Sequence, residues 1–424
     1  MRVAWFAPLP PVRSGIAALN ATLLARLDGS SSIDRFDEPR AHDFVWRHRR
    51  TPYDLVVYHL GNAAYHDYMW AYLAHYPGLV VLHDPRLHHA RARQLLKAGR
   101  FDDYRREFRY DHPHAVRDVV EYAVQGLGGP IYYQWSMAAL VVRTARMVAV
   151  HNARVAADLA VEFPGARIET IRLGKGAPAA GPSARSRVRA ALGVGDRGVL
   201  FAVFGKVTAE KRIEAIVRAF ATLAAERPDV HLVVAGDASG YPELSQWISS
   251  LASPRVHVAG YLEDQSVDGY LAAADACICL RWPTALETSA SWVQSLAAGR
   301  PTIVSDLAHT VDVPPSVALR VDLLNEDESL VAAMRALASN ERLRTATGEA
   351  GRAYWSANHT LDGMVDDYRR VIALAAAAPT PVVPDLPAHI VDDHTAHARA
   401  IAQQLGVTVD ILKEDQAGKA GRAG

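Results

Sequence analysis

Residues 275–306, DACICLRWPTALETSASWVQSLAAGRPTIVSD, divide into three parts. Asp275 to Leu280 alternates and then runs apolar, as a strand buried on both faces does. Ser289 to Ala298 has helical spacing, with Trp292, Leu296 and Ala297 on one side, and Pro301 to Ser305 is a second strand ended by Asp306. Strand, loop, helix and strand make one βαβ unit of a parallel sheet. The loop between its first strand and its helix, RWPTALETS, carries an arginine, a glutamate and hydroxyls. It lies at the carboxyl end of a strand and the amino end of a helix, where open α/β sheets place their ligands. Glu287 is therefore the first candidate for chemistry, with Thr288 and Ser289 beside it.

Upstream, the pattern repeats. Val199–Phe204, Val230–Ala235 and Arg255–Val258 read as strands, with helices over Glu210–Ala225, Pro242–Leu251 and Gln265–Ala273, and a further helix follows at Glu328–Ala338. FGKVTAEKR follows the first of these strands and precedes a helix, so Gly205, Lys206, Lys211 and Arg212 gather around one helix amino terminus. Ammonium groups beside a helix dipole suit a diphosphate. Two loops at one sheet edge, one cationic and one with a carboxylate and hydroxyls, match a ligand with phosphates at one end and hydroxyls at the other.

The first half reads as another β/α series. Strands are expected at Arg2–Phe6, Tyr53–Tyr58, Leu79–Leu82, Met147–Val150 and Ile168–Arg172, with helices at Gly15–Leu27, Val116–Leu127, Pro130–Arg143 and Asn152–Phe163. Gly15 opens its helix, where a glycine serves simple turn geometry or lets a phosphate approach the backbone. His59, Asn62, His66, His83, Asp84, His88 and His89 gather at the carboxyl edge of this sheet. Their density admits a metal reading, but no recognised ligand spacing appears, and polar groups at that edge equally suit a polyhydroxyl substrate. The segment 87–109 is basic and aromatic. One helical face of it is a candidate for contact with an anionic membrane or acceptor, and a solvated face is the plainer alternative.

The 424 residues suggest two domains and an appendage. APAAGPSARSR, residues 177–187, has linker composition. Asn358–Ala376 is an amphipathic helix with Leu361, Met364, Val365, Tyr368, Val371 and Ile372 on one side. Beyond it come a proline-rich spacer, a candidate docking helix at Asp393–Leu405 and a tail of disordered composition. Basic and acidic side chains balance at 46 each, which argues against a general nucleic-acid binder. Cys277 and Cys279 stand two apart on one strand and read as buried small side chains rather than a metal or redox pair. No signal-peptide core and no membrane-spanning apolar run is present, so the chain reads as soluble and cytoplasmic.

In order and spacing, APLPPVRSGI, the LHD of His83 and Asp84, FGKVTAEKR, LVVAGD, VAGYL and LETSASWVQSLAAGRPTIVSD resemble the family-4 retaining glycosyltransferases, over Met1 to about Ala376. The resemblance implies the GT-B fold, an α/β architecture of two Rossmann-like domains facing across a cleft. An acceptor domain would span 1–178 and a donor domain 179–357, with a returning helix at 358–376 and a tail at 377–424. It implies a nucleotide-diphosphate sugar as donor, no metal or other cofactor, and a glycan, lipid-linked glycan or small polyhydroxyl acceptor. Carried over residue by residue, Lys206 and Lys211 would hold the pyrophosphate, with lysine where the family usually has arginine. Gly15 would match the first-loop glycine, and His83 would approach the donor sugar. Glu287, Thr288 and Ser289 would contact the donor. Gln294 stands where the family has a glutamate on the ribose, and a neutral amide there loses a charge-assisted pair of bonds. His59, Asn62 and His66 are the expected acceptor contacts, and Glu287, His83 and Lys211 the expected catalytic set. Two other readings stay open: an epimerase using the same cleft, and a binding module of weak catalysis in a polysaccharide assembly complex.

Overall fold

The structure is a computed structural model and describes residues 1–27, 32–250, 255–382, 386–391, 401 and 404–406. The expected docking helix at Asp393–Leu405 and the tail after it lie largely outside the described residues. Among the described residues, twelve strands form two parallel sheets. The first contains β1 (Arg2–Phe6), β2 (Ser32–Phe36), β3 (Leu55–Leu60), β4 (Leu79–Leu82), β5 (Met147–Val150) and β6 (Ile168–Thr170), in the order β2-β1-β3-β4-β5-β6. The second contains β7 (Val199–Phe204), β8 (Val230–Ala235), β9 (Val256–Gly260), β10 (Ala276–Cys279), β11 (Thr302–Ser305) and β12 (Leu319–Val321), in the order β12-β11-β10-β7-β8-β9. The central strands are apolar throughout because helices cover both faces: every residue of β3, β7 and β10 is buried. Strand order reverses between β1 and β3 in one sheet and between β7 and β10 in the other. Those reversals open crevices at the carboxyl ends of the strands.

The βαβ unit of 275–306 forms as its pattern predicts. Its helix spans Ala290–Ala297, capped by the Ser289 hydroxyl, which accepts from the Trp292 amide. Cys277 and Cys279 are both buried, and burial pushes the Cys277 thiol up to about 12. Asp275 ties the unit down. Its carboxylate accepts from Arg185 and Arg189 at 2.8 Å each and from the Leu200 amide at 2.8 Å.

Both arginines come from a helix, Pro182–Ala191, that begins inside the stretch of linker composition. Proline at the start of a helix sacrifices no bond, and this helix is held through its arginines rather than through a broad apolar face. The expected helix at Glu210 is also resolved differently. A 3₁₀ turn over Ala209–Lys211 ends at Arg212 in the left-handed region (φ 57°), and the α-helix runs Ile213–Glu226.

Five of the six residues expected on the buried side of the returning helix are buried: Met364, Val365, Tyr368, Val371 and Ile372, with Leu361 packed at the edge. That helix spans Leu361–Ala377 and follows another, Glu341–Asn358, that no apolar stripe announces. The break at His359 and Thr360 sits on the crossover between the sheets. The His359 ring bonds the Leu173 carbonyl at 2.9 Å, and a Cβ on Gly174 would stand 2.3 Å from the Thr360 carbonyl oxygen, so only glycine allows that approach. Tyr368 then stacks on His59 beneath the first sheet. The first sheet, the second sheet and this helix share one apolar cluster that includes Trp5, Leu271 and Tyr368.

In the segment 87–109, helices cover His88–Leu96 and Phe101–Asp111. Arg91, Arg93, Arg100, Arg105 and Arg106 are each paired with a carboxylate of the chain. Among the described residues, no helix is long and apolar enough to cross a membrane.

Candidate active site

The carboxyl ends of β7 and β10 carry the two loops that the sequence singled out, and the crevice between these strands brings them together. Gly205 follows β7 at φ +89°, a conformation costly for any residue with a side chain. The 3₁₀ turn folds Lys211 back over it. Lys211 Nζ donates to the Phe204 carbonyl at 2.8 Å and lies 2.6 Å from where a Cβ on Gly205 would stand. Burial, and then the Arg281 guanidinium, push the Lys211 ammonium well below the usual lysine range. An anion bound between these two cations would restore the missing countercharge. Lys206 is exposed on the rim beside Asp237, and Arg212 turns away to pair with Glu326 at 2.9 Å.

Across the crevice, Glu287 is held by its own loop. Its Oε2 accepts from Thr284 Oγ1 at 2.9 Å and from the Ala285 amide at 3.0 Å, while Oε1 lies 3.2 Å from Arg281 Nε. Arg281, which the sequence reading did not place in the site, thus stands between Glu287 and Lys211. Thr288 Oγ1 is buried without a hydrogen-bond partner, and Ser289 caps the helix below. Gln294 sits half-buried on the same helix.

The opposite wall comes from the first sheet. Adjacent strands β3, β4 and β5 each deliver a histidine at or near their carboxyl ends, and the three rings bond in file. His151 Nδ1 meets the Ile171 carbonyl at 2.9 Å, His151 Nε2 meets His83 Nδ1 at 3.1 Å, and His83 Nε2 meets His59 Nδ1 at 3.0 Å. Because Ile171 can only accept, the neutral tautomers follow in order: each Nδ1 donates and each Nε2 accepts, leaving His59 Nε2 as a buried, unpartnered acceptor. Burial holds all three below the usual histidine range, His151 at about 4.

Both nitrogens of His83 are therefore occupied within the chain. His59 and His66 are 0% exposed, and the Asn62 amide spans the Arg86 carbonyl at 2.7 Å and the Ala90 amide at 3.0 Å. The polar atoms of this expected acceptor set face inward. Gly15 faces open space at the head of its helix, in the crevice beside β1. Among the described residues, no group of three or more His, Cys, Asp or Glu side chains could hold a metal ion.

Asp84, one residue beyond His83, accepts from the Asn62 amide at 2.6 Å. Burial, and then the facing Glu287 carboxylate, raise it to about 7. The LHD at the end of β4 was the only sequence signal for it, since its charged neighbours come from the other sheet. Several contacts close the cleft around it. Tyr133 donates to Glu210 at 2.6 Å, the Arg86 amide to the Ala285 carbonyl at 3.2 Å, and Asn152 to the His309 carbonyl at 2.9 Å. Arg13 lies over the Tyr261 ring at 5.2 Å. Behind Glu287, between the loops after β5 and β6 and those after β10 and β11, lies a cavity of about 600 Å³ reached by His151, Arg281, Thr288, His309 and Tyr354.

Two Rossmann-like sheets facing across a cleft, with a carboxyl-terminal helix returning to the first, define the GT-B architecture. Residues 198–340, which hold all six strands of the second sheet, match the family described as Glycosyl transferases group 1. Solved structures of similar shape include HepE from Anabaena in complex with UDP and glucose, at TM-score 0.64 and 14% identity over 88% of this chain and 99% of that one. Sucrose-phosphate synthase from Thermosynechococcus elongatus is similar at TM-score 0.64 and 15% identity over 88% and 100%. WaaG, a glycosyltransferase involved in lipopolysaccharide biosynthesis, follows at 0.59 and 13% over 88% and 100%. At these identities the likeness defines the fold. No curated protein matches the chain in sequence.

Proposed function

We propose that the protein is a retaining glycosyltransferase that transfers a hexose from a nucleotide-diphosphate sugar to a hydroxyl of a glycan, lipid-linked glycan or small polyhydroxyl acceptor. The observation that carries this reading is the neighbourhood of Lys211 and Arg281 at the β7–β10 reversal, two cations of which, among the described residues, Arg281 alone forms an ion pair, with Glu287. A diphosphate fits that charge, and the neighbouring hydroxyls of the 284–289 loop support a sugar attached to it. HepE, which binds UDP-glucose, and the group 1 domain over 198–340 support a nucleotide sugar as the donor.

In this reading, the bond from the anomeric carbon to the β-phosphate oxygen breaks with its electrons going to the diphosphate. Lys211, Arg281 and the amino terminus of helix Ala290–Ala297 stabilise the growing charge, a role worth several kcal/mol in a water-poor cleft. The acceptor hydroxyl attacks the face that the diphosphate leaves, and its proton passes to the departing phosphate. Glu287 orients Arg281 and accepts from sugar hydroxyls, and no step requires a metal. Replacing Glu287 by alanine is expected to lower kcat by about 10- to 100-fold, the loss of a charge-assisted hydrogen bond. The reading is tested by incubating the protein with a labelled nucleotide sugar and candidate acceptors and assigning the product anomer by NMR. A product of inverted configuration would overturn retention, and conversion of the nucleotide sugar without acceptor would favour an epimerase.

A further inference from the structure

The cavity of about 600 Å³ behind Glu287 meets the cationic pair that serves the diphosphate at Arg281, which lines its wall. Lys206 and Lys211 do not line it, and its walls come from both sheets and from the crossover helices. Each of its four arginines already has a carboxylate: Arg172 with Asp367 at 2.6 Å, Arg281 with Glu287 at 3.2 Å, Arg320 with Asp306 at 2.8 Å and Arg370 with Glu169 at 2.7 Å. The cavity thus presents polarity without uncompensated positive charge. A phosphorylated or carboxylated ligand would have to compete with a carboxylate already on each guanidinium, whereas a neutral ligand would not.

On one side, Trp292, Tyr354 and His359 form an aromatic cluster with ring centroids 5.6 to 6.2 Å apart. On the other, the Thr288 hydroxyl is buried without a partner, an unmet hydrogen bond where the loop assigned to the donor sugar borders the cavity. Aromatic faces with unsatisfied neutral hydroxyl chemistry suit the apolar C–H face and the hydroxyl edge of a sugar ring. The residues first expected to meet the acceptor, His59, Asn62 and His66, point their polar atoms into the first domain.

Resting on the glycosyltransferase reading above, we propose that this cavity is the acceptor compartment and takes a neutral polyhydroxyl group, a sugar or cyclitol ring, in preference to a phosphorylated one. The acceptor then reaches the reaction centre from the β5–β11 side, past Thr288, and the donor diphosphate occupies the β7–β10 side.

The test has two arms. Calorimetry first measures nucleoside diphosphate binding to the full chain; binding of none overturns the donor reading and this one with it. With the bound nucleotide at saturation, glucose, maltose and inositol are then titrated beside glucose 6-phosphate and inositol 1-phosphate. A neutral member is expected to bind at least tenfold more tightly than its phosphate. Ala357→Trp, at an exposed helical position on the cavity wall, should weaken that sugar by tenfold or more and leave nucleotide affinity within twofold. Tyr354→Phe keeps the aromatic face and should weaken it about threefold. Preference for the phosphates, absence of binding by every neutral member, or unchanged sugar binding in Ala357→Trp overturns the proposal. Loss of nucleotide binding in that variant would assign the cavity to the donor and also overturn it.

Discussion

Gly205 and Lys211 compete for one volume, because the lysine ammonium occupies the space that any larger residue at 205 would fill. Gly205→Ala is therefore expected to strain a positive-φ turn and expel the Lys211 ammonium together. Nucleoside diphosphate affinity should fall about tenfold by calorimetry, near the 1.4 kcal/mol that a tenfold change represents. Asp84 gives a second expectation, with its sign set by a raised carboxyl. Between the unfolded value near 4 and the folded value of about 7, the native state holds a proton that the unfolded chain has released. Asp84 thus makes its greatest contribution to stability below pH 4, loses it as pH rises to about 7, and is flat above. Asp84→Asn should raise the thermal midpoint relative to the parent at pH 8, and that advantage should shrink at pH 5. An equal difference at both values would show that Asp84 ionises normally. Lys211 and Glu287 were readable because each lies in a loop joining a strand to a helix. Asp84 and His151 were not assigned because their partners lie on other strands or in the other domain, and no local spacing reveals a neighbour that distant. Arg281 has its carboxylate, Glu287, in its own loop, but the cation it faces, Lys211, comes from the loop after β7.

At the scale of elements, Asp275 shows what anchors the βαβ unit beneath the site. Burial alone would raise its carboxyl, but hydrogen bonds from Arg185, the Leu200 amide and Arg189 hold it below the usual range. Asp275→Ala leaves Arg189, only 6% exposed, without its carboxylate, and should cost about 3 kcal/mol in denaturant unfolding. The native contribution is fully present above the unfolded carboxyl value and disappears as pH falls through the lower folded one, so the variant and parent should converge in acid. A difference below about 0.5 kcal/mol at neutral pH would mean that these bonds are replaced by water. The strands of both sheet centres were legible because they are continuous apolar runs. β2, with one buried residue of five, was not, and neither was the helix Glu341–Asn358, whose buried positions are Thr347, Gly348 and Gly351. Small side chains pack closely there without writing a hydrophobic period. Pro182–Ala191 was hidden for a related reason: its composition is that of a linker, and its arginines find their acid about ninety positions away.

For the whole molecule, the two-domain architecture was legible because its two halves repeat one β/α logic and the returning helix carries its own apolar stripe. The closure of the cleft was not, since Tyr133 with Glu210, Arg86 with Ala285, and Asn152 with His309 join residues whose positions in sequence say nothing of one another. Closure is what sets Asp84 against Glu287, with the cationic crevice and the cavity meeting at Arg281. Tyr133→Phe removes one such bridge and is expected to raise the KM for the nucleotide sugar a few-fold with kcat nearly unchanged, the signature of weakened ground-state closure. The central claim is that Lys211, beside Arg281, receives a nucleoside diphosphate. Its most direct measurement is calorimetric titration of UDP and the other nucleoside diphosphates into the parent protein and Lys211→Met. Saturable binding of at least one by the parent, weakened tenfold or more in the variant, is the expected result. Equal affinity in the two proteins, or no binding of any nucleoside diphosphate by the parent, would contradict it.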